Sequence, residues 1–282
     1  MSPAQQAILA DGRRRHFQHG PIDLVIEAFG APREVARAYG QAWRRFQSML
    51  AELVAELPQL RMPVGPALTG AVARRMGQVT KPHGGVFVTP MAAVAGAVAD
   101  ETLAALVRGR EIERAYVNNG GDIALHLAVS QSFKTGLVTL GNAASMGIYT
   151  RIEGESAVRG IATSGWRGRS LSLGIADSVT VLARSAAAAD VAATLIANAV
   201  DAEDDTIERL PARDIDPDSD LGGRLVTVAV GDLPPGTIDR ALKRGESAAR
   251  AMATRGLIEG AHLTLKTETR VVGVSSRLEQ VA

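Results

Sequence analysis

Between Glu113 and Ala183 the chain passes through a series of short apolar or alternating runs, RAYVN, DIALHL, LVTLG, MGIYTRI, AVRGIA, LSLGI and SVTVLA, with turn residues between them. Helical periodicity is confined to the segments on either side. Strands clustered in the middle of a chain argue for an α+β fold, a mixed or antiparallel sheet with packed helices, and against regular βαβ alternation. On the N-terminal side, RRHFQ and IDLVIEAF read as two strands joined at His19-Gly20-Pro21. From Ala31 to Leu57, the residues Val35, Ala38, Trp43, Phe46, Met49, Leu50, Leu53, Val54 and Leu57 return to one side of a helix that Pro58 ends. A shorter helix is expected from Pro66 to about Met76. On the C-terminal side, SAAAADVAATLIANAV is a helix with Ser185 as N-cap, RLVTVAV is a strand, TIDRALKRGESAARAMATRG is a helix stopped by glycine, and HLTLKTETRVVGV is a strand pair.

These elements are read as a single domain over residues 1–282. Residues 1–85 carry N-terminal strands and helices, 86–200 carry the motifs, 201–222 form an acidic solvated excursion, and 223–282 close the chain. Within the motif region, Thr89 is a plausible N-cap with Pro90 in first helical position. The helix that follows is crowded with Ala92, Ala93, Ala95, Gly96, Ala97 and Ala99, so another element must approach it closely.

Apolar residues make up 46% of the chain and charged residues 22%, enough to bury a core. A net charge of +1 and an aromatic content of 4% give no basic surface or stacking platform for nucleic acid. With no cysteine, thiolate metal sites, cysteine nucleophiles and a lipid-bearing cysteine anchor are excluded. The start, MSPAQQAILADGRRR, does not read as an export signal, and no apolar run reaches the ~20 residues of a membrane helix. The expectation is a cytoplasmic protein without membrane or nucleic-acid partners.

Three stretches carry chemistry. Asn118-Asn119-Gly120-Gly121-Asp122 reads either as a hairpin turn or as a nest of inward amides that cradles an anion, with Asp122 accepting from a ribose, an amine or the turn itself. Gly160-Ile161-Ala162-Thr163-Ser164-Gly165-Trp166 ends a strand in two hydroxyls. Thr163 and Ser164 either cap an ordinary turn or hold phosphate oxygens, with Arg159, Arg167 and Arg169 nearby in sequence. Asp190 and Thr194 lie one helical turn apart, with Asn198 on the same stripe. They are either the wet face of an amphipathic helix or a half-site for Mg²⁺, which takes one or two protein oxygens and completes its shell with water and phosphate. Among the histidines, His83 in a glycine-flanked loop is the most plausible functional one, and Asp177 at a strand junction is a further carboxylate that either caps or binds.

The order of these stretches resembles the ApbE family of FAD:protein FMN transferases. An Ala/Gly-rich helix ends in Ala99-Asp100, then come VNNGGD, IATSG and ADVAAT, over roughly Val86 to Val200. The resemblance implies a T-fold-related architecture. It implies a flavin-nucleotide site with FAD or a related nucleotide as ligand, drawn from Asp100, Asn119, Gly120, Gly121, Asp122, Thr163 and Ser164. It implies Mg²⁺ on Asp190 and Thr194. Asp177 and His83 are the expected catalytic residues. The chain departs from the pattern where Val94-Ala95-Gly96-Ala97 replaces the family's lysine-bearing run, and where Ser172-Leu173-Gly174-Ile175-Ala176-Asp177 replaces its histidine-bearing loop. These departures resemble the cytoplasmic branch of ApbE-like proteins.

Three functions follow as expectations, the last of them a purely structural homo-oligomer with a vestigial site. The first is an enzyme, a transferase or pyrophosphate-cleaving protein that binds a small-molecule nucleotide with Mg²⁺. The second is a non-catalytic ligand-binding or accessory protein, as has been suggested for this branch in sulfur or homocysteine metabolism. Expected protein partners are a second copy, as a homodimer, or a partner enzyme.

Overall fold

In the computed structural model, residues 3–63, 67–137, 148–168, 170–273 and 278–280 are described. Arg169 and most of the run LVTLG lie outside them. In chain order the strands are β1 (Gln5–Ile8), β2 (Arg15–His19), β3 (Ile22–Gly30), β4 (Ile112–Asn119), β5 (Asp122–Leu127), β6 (Ser132–Leu137), β7 (Ile148–Glu153), β8 (Gly160–Ser164), β9 (Ser178–Ala183), β10 (Ile207–Pro211), β11 (Leu225–Val230), β12 (Gly260–Leu265), β13 (Glu268–Gly273) and β14 (Leu278–Gln280). The α-helices are α1 (Pro32–Ala55), α2 (Leu57–Leu60), α3 (Ala71–Thr80), α4 (Val94–Val107), α5 (Ala186–Ala199), α6 (Ala212–Ile215) and α7 (Pro235–Thr254). The α+β reading therefore holds, with every strand pair whose register is defined running antiparallel.

The chain packs as two compact units that interleave in sequence. The first comprises Met1–Phe133, Ile152–Ala162 and Ala183–Val191. Its sheet runs in the order β1-β2-β3-β4-β5-β8. The core is built from Phe17, Leu24 and Ile26 of the sheet against Phe46 and Met49 of α1, all fully buried. The spacing of Ala38, Ala42, Phe46, Met49 and Leu53 gives α1 one continuous buried stripe. Val54, placed on that stripe by periodicity, faces outward at 45% exposure. Pro58 does not stop α1, which ends at Ala55; it occupies the first turn of α2, where a missing N–H costs nothing. α3 begins at Ala71, later than expected.

Thr89 does cap a helical segment. Its hydroxyl accepts from Met91 N–H at 3.2 Å, though the first turn, Pro90–Ala93, is a 3-10 turn leading into α4. α4 packs against α1, α3, β4 and β5. The 18 residues Pro90–Val107 are apolar enough to span a membrane by length and composition, but 61% of the stretch is buried inside the protein and it serves as the unit's core helix.

The second unit comprises Lys134–Arg151, Thr163–Leu182 and Ala192–Ala282. β9, β12 and β13 lie side by side, and α7 packs on β12 and β13. Gly245 permits that contact, since a Cβ there would lie 2.8 Å from Leu263 Cδ2. Gly256, with φ +67°, follows the end of α7 as the glycine stop requires. A separate sheet in the order β14-β7-β6 belongs mainly to this unit.

Two expectations are corrected here. The acidic stretch is not wholly a solvated excursion. β10 pairs antiparallel with β11, and Arg209, half-buried on β10, forms an ion pair with Asp201. Alternation explains it: Ile207, Arg209 and Pro211 face inward while Glu208 and Leu210 face out, so the charge density hides a period of two. Conversely, LSLGI is not a strand. This buried, irregular segment is held by α5: Leu173 N–H donates to Asn198 Oδ1 at 2.9 Å and Ile175 N–H to the Val200 carbonyl at 2.8 Å. Gly174 is required, because a Cβ there would lie 2.2 Å from the Ala197 carbonyl oxygen.

Candidate functional site

In the first unit the glycine-rich stretch is a two-residue hairpin. Asn119 pairs with Asp122 across β4 and β5, and Gly120 and Gly121 form the loop with φ of +66° and +113°. Both values belong to the left-handed side favoured by glycine, as a primed hairpin turn demands. Asn118 Oδ1 accepts from Gly121 N–H at 2.8 Å, and Asn119 Nδ2 donates to the Ala95 carbonyl at 3.1 Å. The hairpin is thus tied by Asn119 to the first turn of α4.

α4 and α5 cap one another. Asp100 of α4 accepts from the backbone N–H groups of Ala186 and Ala187, each at 3.0 Å, which are the first two residues of α5. Asp190 of α5 accepts from Gly96 N–H, at 3.0 Å, in the first turn of α4. Each carboxylate satisfies amides that a helix start leaves without partners and sits at the positive end of the other helix's dipole. The small residues of α4 now have their reason. A Cβ on Gly96 would lie 2.3 Å from the Ala186 carbonyl oxygen, and one on Gly160 of β8 would lie 2.1 Å from that of Ser185. Ser185 is the N-cap anticipated for α5, its hydroxyl accepting from Ala188 N–H at 3.2 Å.

The electrostatics bring the hairpin to this pair. Burial pushes the Asp190 carboxyl well above its ordinary pKa, and the negative charge of Asp122 is the next largest cause, with Asp100 adding to it; the amides of Gly96 and Ala95 pull the other way. Asp100 is also raised by burial, against the two α5 amides and the positive charge of Arg75. Asp100, Asn119, Asp122 and Asp190, far apart in sequence, are therefore one cluster. His83 is buried in the 3-10 turn Lys81–His83, on a separate segment after α3.

In the second unit Thr163 and Ser164 end β8, both half-buried. The Thr163 and Thr180 hydroxyls are 2.9 Å apart. Asp177, 2% exposed, anchors the turn that follows. Its Oδ1 accepts from Trp166 Nε1 at 3.1 Å and Arg167 Nε at 2.7 Å, and its Oδ2 accepts from Lys266 N–H. The Arg167 guanidinium lies 4.6 Å over the Trp166 ring. Gly165 is required by close approach, a Cβ there falling 2.5 Å from the Asp177 carbonyl oxygen. Asp177 is a strut for the hydroxyl-bearing turn. Trp166, Thr180 and Lys266 were not singled out as partners in the sequence, because their contacts cross strand neighbours that local spacing does not reveal.

Thr194, half-buried, lies on α5 four residues after Asp190. Among the described residues no group of three or more His, Asp or Glu side chains is arranged to hold a metal ion. The Asp190 carboxylate and the Thr194 hydroxyl, one turn apart on α5, are oxygen donors of the kind Mg²⁺ takes, its remaining positions being normally filled by water and phosphate oxygens.

The fold and these capped helices define an α+β protein with a glycine hairpin and a half-buried carboxylate pair that joins two helix starts. The chain belongs to the family described as AbpE bacteria, which matches residues 6–271. It is 37% identical over 215 residues to a UPF0280 protein of Methanopyrus kandleri, covering 74% of this chain and 82% of that one. It is 33% identical over 192 residues to a UPF0280 protein of Methanosphaerula palustris, covering 66% and 77%. A UPF0280 protein of Methanothermobacter thermautotrophicus is 40% identical over 119 residues, a match that spans only 42% of this chain and 45% of that protein. Among solved structures, the flavin transferase ApbE from Vibrio cholerae superposes with a TM-score of 0.48 at 14% identity, covering 97% of this chain and 98% of that one. A mutant of the same enzyme gives a TM-score of 0.49 at 12% identity, with 96% and 98% covered.

Proposed function

We propose that the protein binds a flavin or other phosphorylated nucleotide together with Mg²⁺, at the Gly120–Gly121 hairpin and the Asp190 carboxylate. The observation that carries this reading is that the hairpin and Asp190 meet the same first turn of α4, Asn119 donating to the Ala95 carbonyl and Asp190 accepting from Gly96 N–H, with Asp122 paired to Asn119 across the hairpin. A cation beside acidic groups of like charge would relieve their repulsion. Asp190 and Thr194 would hold Mg²⁺, which when bound supplies positive charge for phosphate oxygens. The hairpin would offer the Gly120 and Gly121 region to the ligand, where a Cβ at Gly121 would meet nothing within 4 Å. The flavin part of the reading rests on family membership and on the motif order. Its catalytic form is cleavage of the FAD pyrophosphate, with an alcohol or water attacking the flavin-side phosphorus and AMP leaving.

A second reading, binding without turnover, is favoured by Asp177. Three donors hold this carboxylate in place, which suits a structural role. His83 is then the remaining expected acid–base group. Calorimetric titration of the protein with FAD, with and without Mg²⁺, followed by an assay for FMN and AMP, tests both. Metal-linked binding with product release supports the enzyme, and binding without release supports an accessory protein in the cytoplasm acting with a second copy or a partner enzyme. Absence of heat with FAD, FMN and ADP alike ends both readings.

A further inference from the structure

Helix α3 has two distinct sides. Val72, Ala73, Met76 and Thr80 are buried in the first unit. Arg74, Gly77 and Gln78, with Lys81 just past the helix end, stand at positions i, i+3, i+4 and i+7 and so form a stripe on the other side. That stripe lines a cavity of about 550 Å³. Gly77, in the middle of the stripe, keeps this wall low, since a Cβ there would come 3.0 Å from Cδ1 of Leu68, another lining residue. Val88, buried, adds apolar wall, and Val86, 59% exposed, marks the side open to solvent. The described lining residues all fall between Gln59 and Pro90, inside the first unit, and include none of Asp100, Asn119, Asp122 or Asp190.

The volume lies in the range of small-molecule pockets, which are mostly apolar with a few converging polar groups. Three such groups are present. Gln59 Oε1 is shielded from solvent and has no hydrogen-bond partner among the described residues. An acceptor left in that state costs free energy that a ligand N–H or O–H would recover. The Arg74 guanidinium donates to the Thr69 carbonyl and lies in the field of Glu56, so its charge is already answered. Lys81 is exposed, and its ammonium has no partner among the described residues. No carboxylate is among the described lining residues, so one positive charge at the rim stands unopposed.

We propose that this cavity binds an apolar organic acid of single negative charge, with its anion at the Lys81 ammonium, its hydrocarbon or aromatic body along Leu68, Gly77 and Val88, and an N–H or O–H donated to Gln59 Oε1. The site is separate from the nucleotide site described above and stands or falls without it. A nucleotide's several phosphate charges would find only one free cation here, against walls that suit an apolar body.

The experiment is a fluorescence titration of the whole protein with two dyes that brighten in apolar surroundings. Anilinonaphthalene sulfonate carries an aromatic body, one anion and one N–H, and phenylnaphthylamine is the same skeleton without the sulfonate. Lys81 and Gln78 are both exposed, so Lys81→Met and Gln78→Trp leave the core intact, which circular dichroism checks. The wild type should bind one equivalent of the sulfonate. Lys81→Met should weaken it about fivefold and leave phenylnaphthylamine unchanged, and Lys81→Arg should restore the loss. Gln78→Trp, whose ring enters the cavity, should weaken both dyes about tenfold or more. Gln59→Leu should weaken both alike, about fivefold, because each carries the N–H. Equal sulfonate affinity in the wild type and Lys81→Met overturns the proposal, as does undiminished binding in Gln78→Trp, which would put the dye elsewhere. Unchanged binding of both dyes in Gln59→Leu overturns the donor assignment. Displacement of the sulfonate by FAD in proportion to FAD bound would make the cavity part of the nucleotide site and overturn a separate one. If the sulfonate binds as expected and FAD does not bind at all, the nucleotide reading alone fails.

Discussion

Asp100 and Asp190 cap each other's helices. Asp100, near the middle of α4, holds the first amides of α5, and Asp190, in the second turn of α5, holds an amide in the first turn of α4. The arrangement resolves how one helix pair can be both scaffold and site. Asp100 has each oxygen engaged at 3.0 Å and is a fixed clamp. Asp190 accepts the Gly96 amide of α4, and burial followed by the negative charge of Asp122 pushes its carboxyl upward.

Removing the clamp should therefore cost stability and spare ligand chemistry. Asp100→Ala leaves two α5 amides without acceptors and should destabilise the protein by about 2 kcal/mol, the upper end for a lost helix cap. Asp100→Asn keeps one acceptor oxygen and should cost less. Urea denaturation followed by circular dichroism measures both, and a loss in Asp100→Ala below that in Asp100→Asn would contradict the capping role.

Gly96 and Gly121 are both glycines of the first unit, but for different physical reasons. A Cβ on Gly96 would meet the Ala186 carbonyl oxygen at 2.3 Å, so Gly96→Ala forces α4 and α5 apart. The cost should be about 3 kcal/mol, at the severe end for overpacking, with Asp190 losing its amide. Gly121→Ala meets no atom within 4 Å, and its penalty comes only from φ +113°. About 1 kcal/mol is expected there. Thermal melts of the two variants should separate by this difference, and equal shifts would count against the close approach of the helices.

Much of this was legible in the sequence because it is local. Residues 122–127 and 178–183 alternate in a strand-like way and became β5 and β9 at those bounds. Thr89, Ser185 and the two hairpin glycines carry their signals within a few residues. The crowd of alanines and Gly96 showed that something approaches α4, but not that the something is the start of α5. Asp100 and Asp190 were visible as carboxylates and their mutual capping was not, since it depends on how residues 86 or more apart pack. The same holds for Asp177, whose partners Trp166 and Arg167 are near in sequence while Lys266 is not. Charge density misled at residues 207–211, where period-two alternation wins over acidity and forms β10.

Asp177 should act as a strut. Asp177→Ala removes the acceptor of Trp166 Nε1, Arg167 Nε and Lys266 N–H at a buried position. Arg167 is half exposed and can turn to water, so the loss is dominated by the two other donors and should be about 2 kcal/mol. Trp166, released from its anchor, should emit at longer wavelength. An unchanged emission spectrum together with abolished turnover would instead place Asp177 in the chemistry.

The pH dependence of stability should carry the signature of Asp190. Its folded-state pKa lies well above the ordinary carboxylate value, with burial and then the charge of Asp122 as the main causes. The folded state thus holds this proton more tightly than the unfolded chain does. The stability contributed by that proton is fully present below the unfolded pKa, and it is lost as pH rises from there through the raised folded value. Asp190→Asn is uncharged throughout and should flatten this part of the profile, becoming more stable than the wild type at neutral pH without metal. Mg²⁺ should reverse the order by binding the ionised wild type, with stabilisation of about 2.7 kcal/mol at a hundredfold excess over its Kd. Melting temperatures across pH 4 to 8, with and without Mg²⁺, test both arms. A wild type whose melting temperature rises steadily through that range without metal, in parallel with Asp190→Asn, would show that the carboxylate pair is not under the strain described.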